Sequence, residues 1–408
     1  MESDSDIVLV GTGVAPLVAA ARLRAEERRV LVLNPDLDFF LEDSELPLDP
    51  LWSGGRLDFS TQRLKKNLRK RALSELRPEF PGAIELWEGA APGAARDGFK
   101  DALAPHVRTR DRMWIDVPGF SGVSWDLVEK MYVEAADAGL NPQIMDGAAA
   151  LGRFPGYSAR PDRFLDARAV VLPKMCDVDV ARYRNGLLEF VRESLGQERV
   201  LCDVSQMELM PGGVRFHHGK GLRTARATGG VMIFWTPRLT SWVVGQSRNH
   251  ESRLPAMPLG IRLCEEWSLL SRFPLVCDVV GGVGDVICWA EVEGAPEPET
   301  RPLHRLSVLR AGSLVSDALS ADDWASAASF RSLSSVCHDF LQWDKFSIRS
   351  LKTRALLEWE DGIHPKAMRL APGAHVISGC DGPLVDVVAA VREACSAVLS
   401  AKGGGADA

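Results

Sequence analysis

The chain has 408 residues, 46% apolar and 25% charged, which suits two or three globular units and excludes intrinsic disorder and fibrous repeats. A net charge of −7 argues against a nucleic-acid partner, and no apolar run is long enough to span a bilayer. The acidic opening Glu2, Ser3, Asp4, Ser5 and Asp6 is no export signal, and eight scattered cysteines without metal spacing suggest free thiols in a reducing, cytoplasmic setting.

Ile7, Val8, Leu9 and Val10 form an unbroken apolar run, the pattern of a central parallel strand covered on both faces. Gly11, Thr12, Gly13, Val14, Ala15 and Pro16 then lead into the helix-forming run from Leu17 to Leu23. Arg29 to Leu33 reads as a second buried strand, ending at Asn34, Pro35 and Asp36. Strand, glycine turn, helix and strand within about thirty residues make a dinucleotide fingerprint. Gly11 permits the tight turn, Gly13 lets backbone approach a pyrophosphate, and the helix start supplies N–H donors. Pro16 stands where a third glycine is usual, and proline is tolerated in a first helical turn. Asn34 stands where an acid would hold the ribose hydroxyls; its amide can still accept such a bond, and Asp36 lies two positions on.

Further along, Gly54, Gly55, Arg56 and Leu57 resemble the glycine doublet that flavoproteins place beside FAD. Arg63, Lys65, Lys66, Arg69, Lys70 and Arg71, interleaved with Leu64, Leu68 and Leu76, read as the solvated face of an amphipathic helix. A helix ending near Gly139, a short strand and a second helix stopped by Phe154 and Pro155 come next. Arg168 to Pro173 is an apolar strand, and Asp177 to Tyr183 opens a helix over 185–195. Strands around Val204, Leu209 and Phe216 and a final strand at 230–235 complete this part, the last ending at Thr236 and Pro237.

This order resembles the FAD-dependent oxidoreductases related to D-amino-acid, glycine and sarcosine oxidases. The resemblance implies an adenine contact at Val204 and a turn near the pyrophosphate at Thr236 and Pro237. It also implies a last flavin motif at Gly379, Cys380, Asp381, Gly382, Pro383 and Leu384, again between a strand and a helix. The fold class implied is α/β: a Rossmann-like FAD-binding domain with a mainly parallel sheet, plus an α+β substrate domain on an antiparallel sheet. Residues 1–80, 175–240 and 365–408 would form the first, and 81–174 with 241–364 the second.

Within the second domain, 275–290 reads as a hairpin, 306–310 as a strand, 322–341 as helix and 347–359 as a strand pair. The resemblance implies hydride transfer from a carbon bearing an amine or hydroxyl to flavin, with a small-molecule or peptide-borne amine as substrate and O2 or another acceptor. No Ser-His-Asp, Cys-His or metal constellation points to different chemistry. Arg349 and Arg354 are candidates for an anion clamp and His364 for an active-site group. Two other readings stay open: a flavoprotein monooxygenase or protein-modifying flavoenzyme, and a flavin-fold protein that has lost catalysis and acts as a partner.

Overall fold

The computed structural model describes residues 2–35, 107–116, 125–137, 141–153, 166–178, 180–250, 254, 258–271, 278–283, 286–292, 303–315, 346–359, 367–378, 380 and 384–400. Its elements begin with β1 (Glu2–Ser5), β2 (Ile7–Val10), α1 (Val14–Ala25) and β3 (Val30–Leu33). Next in the chain are β4 (Val107–Asp116), α2 (Trp125–Asp137), β5 (Gln143–Asp146), α3 (Gly147–Arg153), β6 (Arg168–Val178) and α4 (Val180–Leu195). The strands β7 (Val200–Leu201), β8 (Val204–Met210), β9 (Gly213–His218), β10 (Gly221–Ala227) and β11 (Val231–Phe234) lead to α5 (Thr240–Asn249). The carboxyl-terminal part holds β12 (Pro258–Ser271), β13 (Asp278–Val283), β14 (Val286–Val292), β15 (Leu303–Val315) and β16 (Phe346–Trp359). It closes with β17 (Ala367–Ala371), β18 (Ala374–Ile377) and α6 (Leu384–Ser400).

A six-stranded sheet runs in the order β17, β18, β11, β2, β3, β7, parallel throughout except at the β17–β18 pair. Every residue of β2, β3 and β11 is buried, which is why their sequences carry no polar alternation. Val8, Val10, Leu31, Leu33 and Ile233 share one apolar cluster with Leu209, Val214 and Phe216 of an antiparallel meander, β8 to β10. The other face receives α1, which also packs against α4 and α6. A helix covered on several sides must be apolar nearly all round, as α1 is. Full burial of side chains such as Phe216, Phe234 and Trp235 contributes about 1.5–3 kcal/mol each.

The third sheet has eight strands in the order β16, β12, β15, β14, β13, β4, β6, β5. It is antiparallel except that β13 and β4 run parallel, joining strands from residues 107–178 to strands from residues 258–359. The expected hairpin is present, with Val283 paired to Val286. Residues 346–359 form one long strand, not the strand pair read from the sequence, and its pairing with β12 skips Arg349 in a bulge. The 306–310 strand extends to Leu303–Val315. Asp177 and Val178, read as opening a helix, instead finish β6, where they pair with Arg108 and Val107, and the helix starts at Val180.

On this sheet the Arg168 guanidinium lies 4.3 Å from the centroid of the Trp125 ring and 3.7 Å from the Asp116 carboxylate. Burial pushes the Asp116 carboxyl above its ordinary value, against the pull of Arg168. Leu357 of β16 is fully buried in the same cluster as Leu239 and Val243, so the long edge strand of the large sheet meets the parallel-sheet unit there. Among the described residues no helix is long and apolar enough to cross a membrane.

Candidate functional site

Four parallel strands end together. Val10 of β2 lies opposite Leu33 of β3 and Ile233 of β11, and Phe234 lies opposite Ile377 of β18. The turns after these strands therefore open along one edge of the sheet. β3 lies on one side of β2 and β11 on the other, so this edge contains the point where strand order reverses. In open α/β sheets that is where ligands bind.

The glycine turn occupies that point. Gly11 donates its N–H to Leu33 O at 3.0 Å, and an added β-carbon there would lie 2.9 Å from Phe234 Cβ. Close packing against β11 therefore requires Gly11. Gly13, at φ 74° and ψ −155°, holds a conformation that side chains rarely adopt and forms the N-cap of α1. No side chain caps the helix, and no acid stands in its first turn. Pro16 sits in that first turn, where its missing N–H breaks no helical bond, and the fully buried Ala19 and Ala20 keep the helix close to the sheet. Residues 11–16 are all buried. Uncapped N–H donors at the positive end of a helix, in a buried glycine turn, match the needs of a pyrophosphate.

Across the edge, the Thr12 and Thr236 hydroxyls share a buried hydrogen bond of 3.2 Å. Thr236 precedes a 3-10 turn, Pro237–Leu239, in which Pro237 and Leu239 are buried. The Thr240 hydroxyl donates to Thr236 O at 3.3 Å and accepts from Trp235 Nε1 at 3.2 Å. The end of β11 is thus fixed by hydroxyls on both sides of Pro237.

At the end of β3, Asn34 is fully buried. Its N–H donates to Leu201 O at 2.8 Å, and its carbonyl accepts from Val204 N at 3.0 Å. The Asn34 Nδ2 lies 3.9 Å from Cys202 Sγ, and Arg192 Nη2 lies 4.0 Å from the same sulfur. This corner brings the Asn34 amide and the Arg192 guanidinium to one sulfur, with the small buried Val204 beside them.

No protein-family model matches the chain, and no curated protein matches it by sequence. Solved structures do match over nearly its whole length. A variant of NikD, an amino acid oxidase essential for nikkomycin biosynthesis, gives a TM-score of 0.65 at 14% identity, covering 98% of this chain and 94% of its own. Glycine oxidase from Geobacillus kaustophilus gives 0.60 at 16% identity, covering 98% and 95%. L-alpha-glycerophosphate oxidase from Mycoplasma pneumoniae, solved with FAD bound, gives 0.63 at 11%, covering 98% and 95%. The chain has the fold of the D-amino-acid-oxidase-like flavoproteins.

Within this fold, the structure brings together Gly11, Thr12, Gly13, Val14, Ala15 and Pro16 with Thr236 and Pro237, and places Asn34, Pro35 and Val204 at the end of β3. Leu384 begins α6, which packs against α1, and β18 ahead of it ends at Ile377 on the same sheet edge. Arg349 and Arg354 lie on β16, the edge of the large sheet, with Arg354 in register with Cys264. Asp36, Gly54, Gly55, Arg56, Leu57, His364, Gly379, Asp381, Gly382 and Pro383 lie outside the described residues, as do the basic run at 63–71 and the 322–341 segment. Sequence reasoning passed over Cys202 and Arg192. The available signal was the place of Cys202, two residues before the expected adenine contact.

Proposed function

We propose that this chain binds FAD with its pyrophosphate against the start of α1 and oxidises a C–N or related bond of an amine or amino-acid-like substrate by hydride transfer. The observation that carries the reading is the buried glycine turn and uncapped helix at the strand-order reversal, faced by the Thr236 turn. The solved oxidases of the same fold, one with FAD bound, support it. Gly13, Val14 and Ala15 would offer backbone donors to the phosphates, with Thr12 and Thr236 beside them. Asn34 and Val204 would hold the adenosine end. When bound, the flavin supplies a two-electron acceptor for hydride. The protein then has to hold the substrate, exclude water and keep both partners in register.

The substrate is a small-molecule or peptide-borne amine, and O2 or another acceptor takes the electrons onward. Arg349 and Arg354 on β16 stay the candidates for an anion clamp within this proposal. The division of 1–80, 175–240 and 365–408 from 81–174 and 241–364 belongs to the same reading. It is supported by the separate six- and eight-stranded sheets, but β6 carries the large sheet past the 174/175 boundary to Val178, which puts residues 175–178 with the second domain. The free thiols of Cys202, Cys380 and Cys395 support a reducing, cytoplasmic setting.

The test is the visible spectrum of the purified protein after FAD is added and the excess removed, followed by anaerobic addition of an amine panel. Flavin bands that bleach with an amine support the proposal. Reduction by NAD(P)H alone turns the reading to a monooxygenase, and absence of flavin bands removes both enzyme readings.

A further inference from the structure

We infer that the Thr12 and Thr236 hydroxyls act as a unit that positions the glycine turn for its ligand, tying it to the turn against which the edge strand of the large sheet packs. The inference rests on the FAD reading for its ligand and on the geometry for the pair itself. The two residues are 224 positions apart, each two residues past the end of its strand, and exposed by only 2% and 4%. A valine has nearly the shape of threonine, so packing alone does not call for a hydroxyl at either place. Two buried hydroxyls are costly unless they bond, and here they bond to each other.

The bond joins two segments with different duties. On the Thr12 side lie Gly13, with its positive φ, and the amides that open α1. On the Thr236 side, the backbone oxygen accepts from Thr240, and the turn Pro237–Leu239 lies against β16. Leu239 and Leu357 share one buried cluster, so the strand bearing Arg349 and Arg354 rests on the segment that Thr236 holds. The hydroxyl pair therefore links the glycine turn to the segment against which the edge strand of the large sheet packs. Thr12 and Thr236 are positioning residues that act through the amides of the glycine turn.

The experiment is a double-mutant cycle read by FAD affinity, using quenching of flavin fluorescence on titration into protein freed of flavin. Thr12→Val and Thr236→Val should each weaken FAD about threefold to tenfold, because each removes the bond the two hydroxyls share. The double variant should be no weaker than the worse single, because the second change removes a bond already broken. Thr12→Ser and Thr236→Ser should restore binding to within about twofold, since the hydroxyl is kept. Losses that multiply, or single variants that bind like wild type, overturn the pair.

Amide hydrogen exchange at Gly13 and Val14 in flavin-free protein distinguishes this failure from failure of the FAD reading. Each valine variant should speed exchange there by about the same factor, whether or not FAD binds. Unchanged exchange overturns the inference. Faster exchange in a protein that takes up no FAD would sustain the hydroxyl pair and overturn the cofactor assignment alone.

Discussion

Asn34 and Val204 are joined through their backbones, Val204 N donating to Asn34 O at 3.0 Å, so the loop after β7 is fixed to the end of β3. Both residues are buried, and the Asn34 side chain is oriented toward Cys202. A carboxylate at this position would accept ribose hydroxyls with charge assistance that an amide lacks. Arg192, whose guanidinium reaches Cys202, would keep that carboxylate ionised. Asn34→Asp should therefore tighten FAD about threefold to tenfold, measured by flavin fluorescence titration. An unchanged affinity would move the ribose contact to Asp36.

At Gly13 the backbone itself makes the prediction. Its φ of 74° and ψ of −155° fall in a region used almost solely by glycine, at a cost of about 1–3 kcal/mol for other residues. Gly13→Glu adds to that strain a carboxylate at the positive end of α1, where the phosphates would lie. The variant should show no flavin absorption after reconstitution. Occupancy equal to wild type would place the dinucleotide elsewhere.

The run from β2 through α1 to β3 was legible because buried parallel strands carry unbroken apolar sequence and the turn between them needs glycine. β1 was not. Glu2–Ser5 has no apolar residue, and its strand form comes from backbone pairing with β10, from Glu2 opposite Thr224 to Ser5 opposite Ala227. β16 read as two strands because Arg349, Ser350, Lys352, Thr353 and Arg354 interrupt its apolar pattern and a bulge falls at Arg349. In the site, Gly11 and Gly13 could be named from spacing, although packing against Phe234 explains the first better than turn geometry. The meeting of Cys202 with Arg192 and of Thr12 with Thr236 depends on tertiary packing across long separations, which no local pattern encodes.

Asp6 links the start of β2 to two distant segments. Its carboxylate accepts the Arg29 N–H at 3.0 Å, the Arg29 guanidinium at 3.3 Å and the Thr228 hydroxyl at 3.3 Å. The backbone bond from Arg29 is the largest influence holding this carboxyl below its usual 3.8, while the exposed ion pair adds little. Since the folded carboxyl is the more acidic, its stabilisation is complete above pH 3.8 and is lost as the pH falls through the lower folded value. Asp6→Ala should cost about 1 kcal/mol at neutral pH, and the gap in Tm from wild type should close in melts taken below pH 3.8. A gap that does not change with pH would mean that the carboxylate charge contributes nothing.

Cys395 and Cys202 should differ sharply toward an alkylating reagent. Cys395 lies fully buried in α6, where burial pushes its thiol up to about 12 despite the nearby Arg22. At pH 8 such a thiol is thiolate in only about one molecule in ten thousand, and the reagent must also reach it through packed helices. Cys202 is half-buried at the corner shared with Asn34 and Arg192. Native protein treated with iodoacetamide at pH 8 and mapped by peptide mass spectrometry should carry label at Cys202 well before Cys395, and denaturant should remove the difference. Added FAD should slow labelling of Cys202 alone, because the adenosine end would cover that corner. Early labelling of Cys395 would mean that α6 does not stay packed against α1.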